Sequence, residues 1–551
     1  MKGKGKLFLS IIIIGAGLLA FRSAPAGDRT FEIVKNLDIF ATLYKEVNAY
    51  YVDDINPSKL MNTGIKAMLQ SLDPYTNYIA EDDIEDYRTI TTGEYGGIGA
   101  VVEKKNGVST VVMPYEGYPA HEAGMRAGDQ IIKINGVDLE GKSSDEISKL
   151  LKGQSNSELV LTVNRFGEDK PLEFSMKREK ITIKNVPYFG LVTPEIGYLK
   201  LTDFTTEAGA EVRKAVNELK AQGAEKVILD LRGNPGGLLE EAVNVSNVFI
   251  GKGKEVVTTR GKLKNWTKTY NTLNEPADEE IPLVVLVSNS SASASEIVSG
   301  VMQDYDRGVL VGQKSFGKGL VQQTRPLAYN SQLKVTTAKY YIPSGRCIQA
   351  IDYSHRNPDG SVGKIADSLK AEFKTQAGRK VYDGGGVTPD IEVEERDYAP
   401  IIYGLLKSDY IFDYATEYYY AHDQIPDAKE LSLTEEEYAD FTRWLKDKDL
   451  TYTTQVEREI DQLIASAKKE RYYNDIESQI LNLKKETLHN KDTDLMTFKA
   501  DVKALLEREI AGRYYYQEGM IESTFDEDPD IQKAVEVLSD MSKYEEILKG
   551  N

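Results

Sequence analysis

The chain has 551 residues, more than one ordinary hydrophobic core holds, and at about 150 residues per domain it reads as three or four units. Hydrophobic residues at 41% and charged residues at 28% exclude wholesale disorder and a multi-span membrane protein. A net charge of -19 with no basic stripe beyond the N-terminus excludes nucleic acid as a partner, because a phosphate backbone needs clustered Lys and Arg.

Lys2, Lys4 and Lys6 precede an apolar run from Ile11 to Phe21, so residues 1–27 read as an export signal. Ala24-Pro25-Ala26 offers small residues for cleavage, but its proline is awkward there, and the run is short for a span of roughly 20 residues. A cleaved peptide and a retained anchor both stay open. Either way the body is expected outside the cytoplasm, periplasmic or in the cell envelope, and held to the inner membrane by this segment if it is retained. Residues 28–90 read as a helical region, with Phe31, Val34, Leu37, Ile39, Phe40, Leu43 and Val47 at three- and four-residue steps. Residues 91–180 read as a β-rich domain: Val108 to Met113, Ile131 to Ile134 and Leu159 to Val163 are strand-like, and Asn135-Gly136 is a tight turn. Ser143 and Glu146 form a capping box that opens one helix there. Across 181–397, strands at Val227 to Leu231 and Leu283 to Val287 alternate with helices from Leu238 and Ser295, which argues for an α/β core with right-handed crossovers. Residues 398–551 are acidic and helical without a catalytic constellation, and read as a packing, capping or partner-binding region. The fold class is therefore α+β and multidomain: an α/β core with crossover helices, an inserted β-rich domain, and helical N-terminal and C-terminal regions.

Three segments of the core carry candidate chemistry. Leu229 to Gly237 is a strand running into a glycine loop ahead of a helix, an anion hole in form, although such turns are common. Ser288-Asn289-Ser290-Ser291-Ala292-Ser293-Ala294-Ser295-Glu296 places serines at a strand-to-helix turn, where a hydroxyl projects and the next N–H faces a developing oxyanion. By themselves the five serines leave the choice open, and a helix cap is the plain alternative. Gly312 to Gly319 nearly spells a phosphate-binding loop, but Gly319 replaces the magnesium-holding Ser or Thr, and Leu320 to Thr324 reads as a strand, which argues against nucleotide hydrolysis. The single cysteine, Cys347, and the four histidines, His121, His355, His422 and His489, have no neighbouring ligand set, so no metal or other cofactor is expected.

Arg232-Gly233-Asn234-Pro235-Gly236-Gly237, then Ser291-Ala292-Ser293-Ala294-Ser295-Glu296, then Phe316-Gly317-Lys318-Gly319-Leu320-Val321-Gln322 together resemble the carboxyl-terminal processing peptidases, or tail-specific proteases. Tyr341 to Gln349 and Asp383 to Asp390 resemble further signatures of that family. The resemblance implies a serine endopeptidase that cleaves exported proteins near or from their C-terminal tails. It makes Ser293 the nucleophile, Lys318 the general base and Gln322 its orienting partner, with an oxyanion hole from the Ala294 N–H and that of Gly236 or Gly237. A lysine accepts the serine proton only when neutral, which apolar surroundings favour; Phe316, Leu320 and Val321 are expected to supply them. On one extended strand, Lys318 and Gln322 would share a face. The resemblance also implies that the β-rich region is a PDZ domain, with Gly96, Gly97, Ile98 and Gly99 cradling a terminal carboxylate. Lys152 stands where family members often carry an arginine that links peptide binding to activation. The expected partners are proteins or peptides with accessible C-termini, and oligomerisation stays open. Two rival readings are a catalytically inactive PDZ adaptor on a protease-like core and a Ser-His-Asp enzyme with His355 as base.

Overall fold

In a computed structural model the described residues are 26–550 except 358, 488 and 489. Nearly all of the segment read as an export signal or anchor, and His489, lie outside them. Among the described residues no helix is long and apolar enough to cross a membrane.

The chain divides into two compact units, one formed by residues up to Ala80 with Thr324–Thr336, the other by Glu81–Gln323 with Thr337–Asn551. In the first, α1 (Ala26–Tyr50) is followed by α2 (Pro57–Gln70), whose N-terminus is capped by the Asn56 side chain accepting the Lys59 N–H at 3.0 Å. Phe31, Val34, Leu37 and Leu43 of α1 are exposed. The helical reading of this region misses a short strand, β1 (Asn77–Ile79), which pairs antiparallel with Gln332–Lys334. The Asp73 carboxylate accepts the N–H groups of Tyr75 and Thr76, each at 2.8 Å, and so turns the chain away from helix before that strand.

The second unit begins with α3 (Ile84–Thr92) and β2 (Glu94–Gly97). A sheet then runs in the order β3 (Ala100–Lys105), β4 (Val108–Pro114), β5 (Gln130–Ile134), β6 (Glu158–Asn164) and β7 (Leu172–Lys177), all antiparallel. Asn135 and Gly136 take positive φ of 49° and 77° at the turn after β5, a conformation that Asn and Gly tolerate best. Helix α4 (Ser144–Leu151) is opened by its capping box, the Ser143 N–H donating to Glu146 at 2.8 Å, and packs Ile147 against Val111, Ile131 and Leu161. The chain leaves through β8 (Glu179–Thr182), which pairs with β2, so this domain is inserted through a single two-stranded ladder.

Next comes a six-stranded sheet, β9 (Tyr188–Thr193), β10 (Ile196–Lys200), β11 (Lys226–Asp230), β12 (Leu283–Val287), β13 (Val309–Gly312) and, beyond β14 (Leu320–Pro326), the edge strand β15 (Ile391–Glu392). Every pair but β9–β10 is parallel. All five residues of β12 are buried, which requires cover on both faces of the sheet. On one side Leu283, Val285 and Val287 meet the crossover helices α5 (Ala208–Ala221), α6 (Leu239–Phe249) and α7 (Ala294–Asp304). On the other, Val284 and Leu286 meet Phe525, Ile531, Val537 and Tyr544 of the C-terminal region. That region includes α8 (Tyr410–Ala421), α9 (Lys499–Glu522), α10 (Pro529–Ser539) and α11 (Met541–Lys549). The reading that split it off as a separate region left this layer unassigned. Of the roles it allowed, packing is the one these helices perform, and they complete an α/β/α sandwich.

Candidate active site

Ser293 stands where β12 hands over to α7, with φ 57° and ψ -109°, a strained conformation for a side-chain-bearing residue. Hydrogen bonding separates it from its neighbours. The Ser291 hydroxyl donates to the Leu231 carbonyl at 2.8 Å, and the Ser295 hydroxyl donates to the Asn234 carbonyl at 2.9 Å. Ser288 accepts the N–H of Gly233, and Ser290 bonds the Asn289 side chain. Among the described residues, the half-buried Ser293 hydroxyl is tied to no backbone carbonyl.

The glycine loop abuts it. A Cβ at Gly236 would lie 2.6 Å from the Ala292 carbonyl oxygen and 2.8 Å from both the Ala294 nitrogen and Ser293 Cβ, so only glycine leaves the space in front of the Ala294 N–H open. Gly236 already donates its own N–H to Asn234 Oδ1 at 2.8 Å. Gly237 bridges Phe204, whose carbonyl accepts the Leu238 N–H at 2.8 Å, and the Gly237 N–H has no acceptor among the described residues.

Glu296, which the sequence reading leaves without a role, joins the serine and lysine segments. Its fully buried carboxylate accepts the Ser293 N–H at 2.8 Å and the Lys318 N–H at 2.9 Å on one oxygen. The other oxygen accepts the Ser315 hydroxyl at 2.6 Å and the Gly317 N–H at 2.7 Å. Burial pushes its pKa up to about 7 against these four hydrogen bonds. Tyr340, also buried, directs its hydroxyl at the carbonyls of Lys318 (2.6 Å) and Ser293 (3.1 Å). The Ser-x-x-Glu spacing that marks the helix cap at Ser143 also stands at Ser293, and it was the one signal of Glu296 available in the sequence.

Lys318 is half-buried and lies in the loop before β14, while Gln322 lies within that strand. The same-face argument from strand periodicity therefore does not apply to this pair. Leu320 is buried as expected, but Phe316 is 49% exposed and gives the lysine little cover.

A second carboxylate anchors the glycine loop. Asp230, fully buried, accepts the Tyr198 hydroxyl at 2.6 Å and pairs with Arg232 (2.8 Å) and Lys200 (3.1 Å). Burial alone would raise its pKa, but Arg232 and Lys200 outweigh that and hold it well below the carboxylate range. Arg232 also pairs with Asp528 and Asp530, each at 2.8 Å, beside α10.

His355 is 87% exposed, and its Nδ1 meets both Ser354 (3.1 Å) and Asp352 (2.7 Å). A hydrolytic triad needs the acid and the serine on opposite ring nitrogens, so this cluster is not one.

In the inserted domain a groove of about 130 Å³ runs between β3 and α4, lined by Gly97, Ile98, Val102, Ile147 and Leu151. Gly96 and Gly99 shape it from behind: the Gly96 carbonyl accepts the Gly153 N–H at 3.0 Å, and Gly99 takes φ 69° against Tyr118. Lys152 lines the groove too, with its ammonium 2.7 Å from Asp86 and 5.7 Å from the centre of the Tyr95 ring.

Residues 195–359 match the model of peptidase family S41, 110–165 that of the PDZ domain, and 401–538 a domain described as "Probable PDZ-protease, C-terminal helical domain". A carboxy-terminal-processing protease of Bartonella bacilliformis is 38% identical over 348 residues, 62% of this chain and 80% of that protein. A "Probable CtpA-like serine protease" of Staphylococcus aureus is 39% identical over 316 residues, 57% of this chain and 62% of the relative. Among solved structures, the photosystem II D1 C-terminal processing protease aligns with 64% of this chain and 92% of its own, at 26% identity and a TM-score of 0.34. The chain belongs to the carboxy-terminal-processing proteases, PDZ-bearing serine peptidases of family S41.

Proposed function

We propose that Ser293 is the nucleophile and Lys318 the general base of this peptidase, acting on exported polypeptides whose C-termini are first caught in the PDZ groove. The observation that carries the assignment is the single buried carboxylate of Glu296, which bonds the N–H groups of both residues. Neutral Lys318 takes the Ser293 hydroxyl proton as Oγ attacks the scissile carbonyl carbon, and Gln322 orients the amine. The tetrahedral oxyanion is received by the N–H groups of Ala294 and Gly237, since that of Gly236 is engaged by Asn234. The C–N bond then breaks as the Lys318 ammonium returns the proton to the leaving amine. Water hydrolyses the acyl ester with Lys318 again accepting a proton. Neither step calls for a cofactor. The charge pattern of residues 1–27 supports export of the body, with anchoring if the segment is retained.

The test is digestion of an unfolded model protein by wild type, Ser293→Ala and Lys318→Ala. Cleavage by wild type alone is expected; normal cleavage by either variant would overturn the assignment.

A further inference from the structure

A cavity of about 310 Å³ lies where the turn after β4, the loop after β10 and the C-terminal helix α9 converge. Its walls are rings: Tyr115, Tyr118, Tyr515 and Tyr516. These rings are held in place. The Tyr118 hydroxyl both donates to the Thr182 carbonyl and accepts the Thr182 N–H, each at 3.1 Å, and the Tyr515 hydroxyl donates to the Pro426 carbonyl at 3.1 Å. Tyr516 packs edge-on against His121 at 5.4 Å, and its backbone, at φ 53° and ψ -144°, interrupts α9 at the cavity.

Three carboxylates border the same space, Glu116, Asp203 and Glu518, against one ammonium, Lys184. None of the three is in an ion pair among the described residues. By contrast, Asp129, Asp230, Asp304 and Asp390 each face an arginine. Asp203 is half-buried, and burial raises its pKa against a hydrogen bond from Thr202. The phenol of Tyr115 is raised by burial and then by Asp203, which places the acid beside the ring.

The cavity is wired to the catalytic loops. Asp203 precedes Phe204, which bridges Gly237. A second cavity, of about 360 Å³, shares Glu116, Tyr515, Tyr516 and Glu518 and adds Asp427 and the Lys429–Glu522 pair, so the carboxylate-bearing lining continues beyond the first cavity. Fixed aromatic faces beside unpaired carboxylates are the recognition chemistry of an organic cation, and they disfavour phosphate or carboxylate ligands. The volume is at the low end for ligand sites and suits one long side chain.

We propose that this cavity is a substrate subsite for a basic side chain, Arg or Lys, held between the tyrosine rings by Asp203, Glu116 and Glu518. The inference rests on the peptidase reading above and adds a sequence preference to it. A polypeptide with its C-terminus in the PDZ groove and a basic residue here is positioned at two points before its scissile bond reaches Ser293.

The probe is a set of unstructured peptides with one common apolar C-terminus, in which a single Arg, Gln or Glu is walked along the chain. The full-length protein should cleave the Arg peptide with about tenfold higher kcat/KM than the Glu peptide at one register, mostly through KM. Asp203→Asn and Glu518→Gln should each bring that ratio toward one; Glu518 is exposed, so its variant reads the site even where Asp203→Asn fails to fold. Equal cleavage of all three peptides at every register, or a preference that survives in both variants, overturns the subsite and leaves the peptidase reading intact. Absence of cleavage of any peptide by the wild type overturns the peptidase reading and the subsite with it.

Discussion

The two loops that meet at Ser293 are fixed by different electrostatics. The glycine loop hangs on Asp230, whose charge is matched by Arg232 and Lys200 and linked onward to Asp528 and Asp530 of the C-terminal region. The serine loop hangs on Glu296, equally buried, whose four hydrogen-bond donors include no ammonium or guanidinium group. A carboxylate matched by cations keeps its charge at any physiological pH. One buried without a cation beside it sits closer to protonation, because burial disfavours the charged form, and Glu296 lies near 7 for that reason despite its four hydrogen bonds. The glycine loop is therefore a fixed wall. The serine and lysine segments form an assembly that depends on a proton.

Removing the cation from the first loop is expected to have the largest effect. Arg232→Met leaves Asp230 buried beside Lys200 alone and frees Asp528 and Asp530, so unfolding free energy should fall by about 3 kcal/mol in denaturant titration. Next in size, Glu296→Gln turns an amide NH2 toward groups that are all donors, and kcat should drop about 10²-fold. Its pH dependence sharpens the comparison. The folded-state pKa of Glu296 is raised from an ordinary 4.5 to about 7, so the stability it contributes is full below about 4.5 and is lost as pH rises through about 7. The thermal stability of wild type relative to Glu296→Gln should decline over that window, while a matched comparison at Asp230 should be flat there. The smallest effect is expected for Tyr340→Phe, which deletes the hydroxyl bridging the Ser293 and Lys318 carbonyls and should cost about 1 kcal/mol, read as a fall in kcat of up to about tenfold.

What could be read from the sequence follows the range of the forces involved. The run Leu283-Val284-Val285-Leu286-Val287 announces a buried strand, and Ser143 with Glu146 announces a helix start, because both signals are local. The spacing of Ile531, Ala534, Val537 and Leu538 marks an amphipathic helix as well, but nothing local says that its partner is the sheet face of Ile228, Val284 and Leu286 some 250 residues earlier. The same limit hid Arg232 with Asp528. Within the site, motif order led to Ser293, but the distinction among five serines came from where the hydroxyls of Ser291 and Ser295 point, which depends on a loop about 60 positions away. The strand read at Leu320 to Thr324 does begin at Leu320, which leaves Lys318 two residues ahead of it, so the condition that would put Lys318 and Gln322 on one strand face is not met.

The account stands or falls on a covalent bond at one hydroxyl. A peptide ester that acylates quickly and deacylates slowly, quenched in acid during turnover and mapped by mass, should place a single acyl group on Ser293 in the wild type and none in Lys318→Ala. Acylation of Ser291 or Ser295 instead, or undiminished labelling of Ser293 without the lysine, would contradict it.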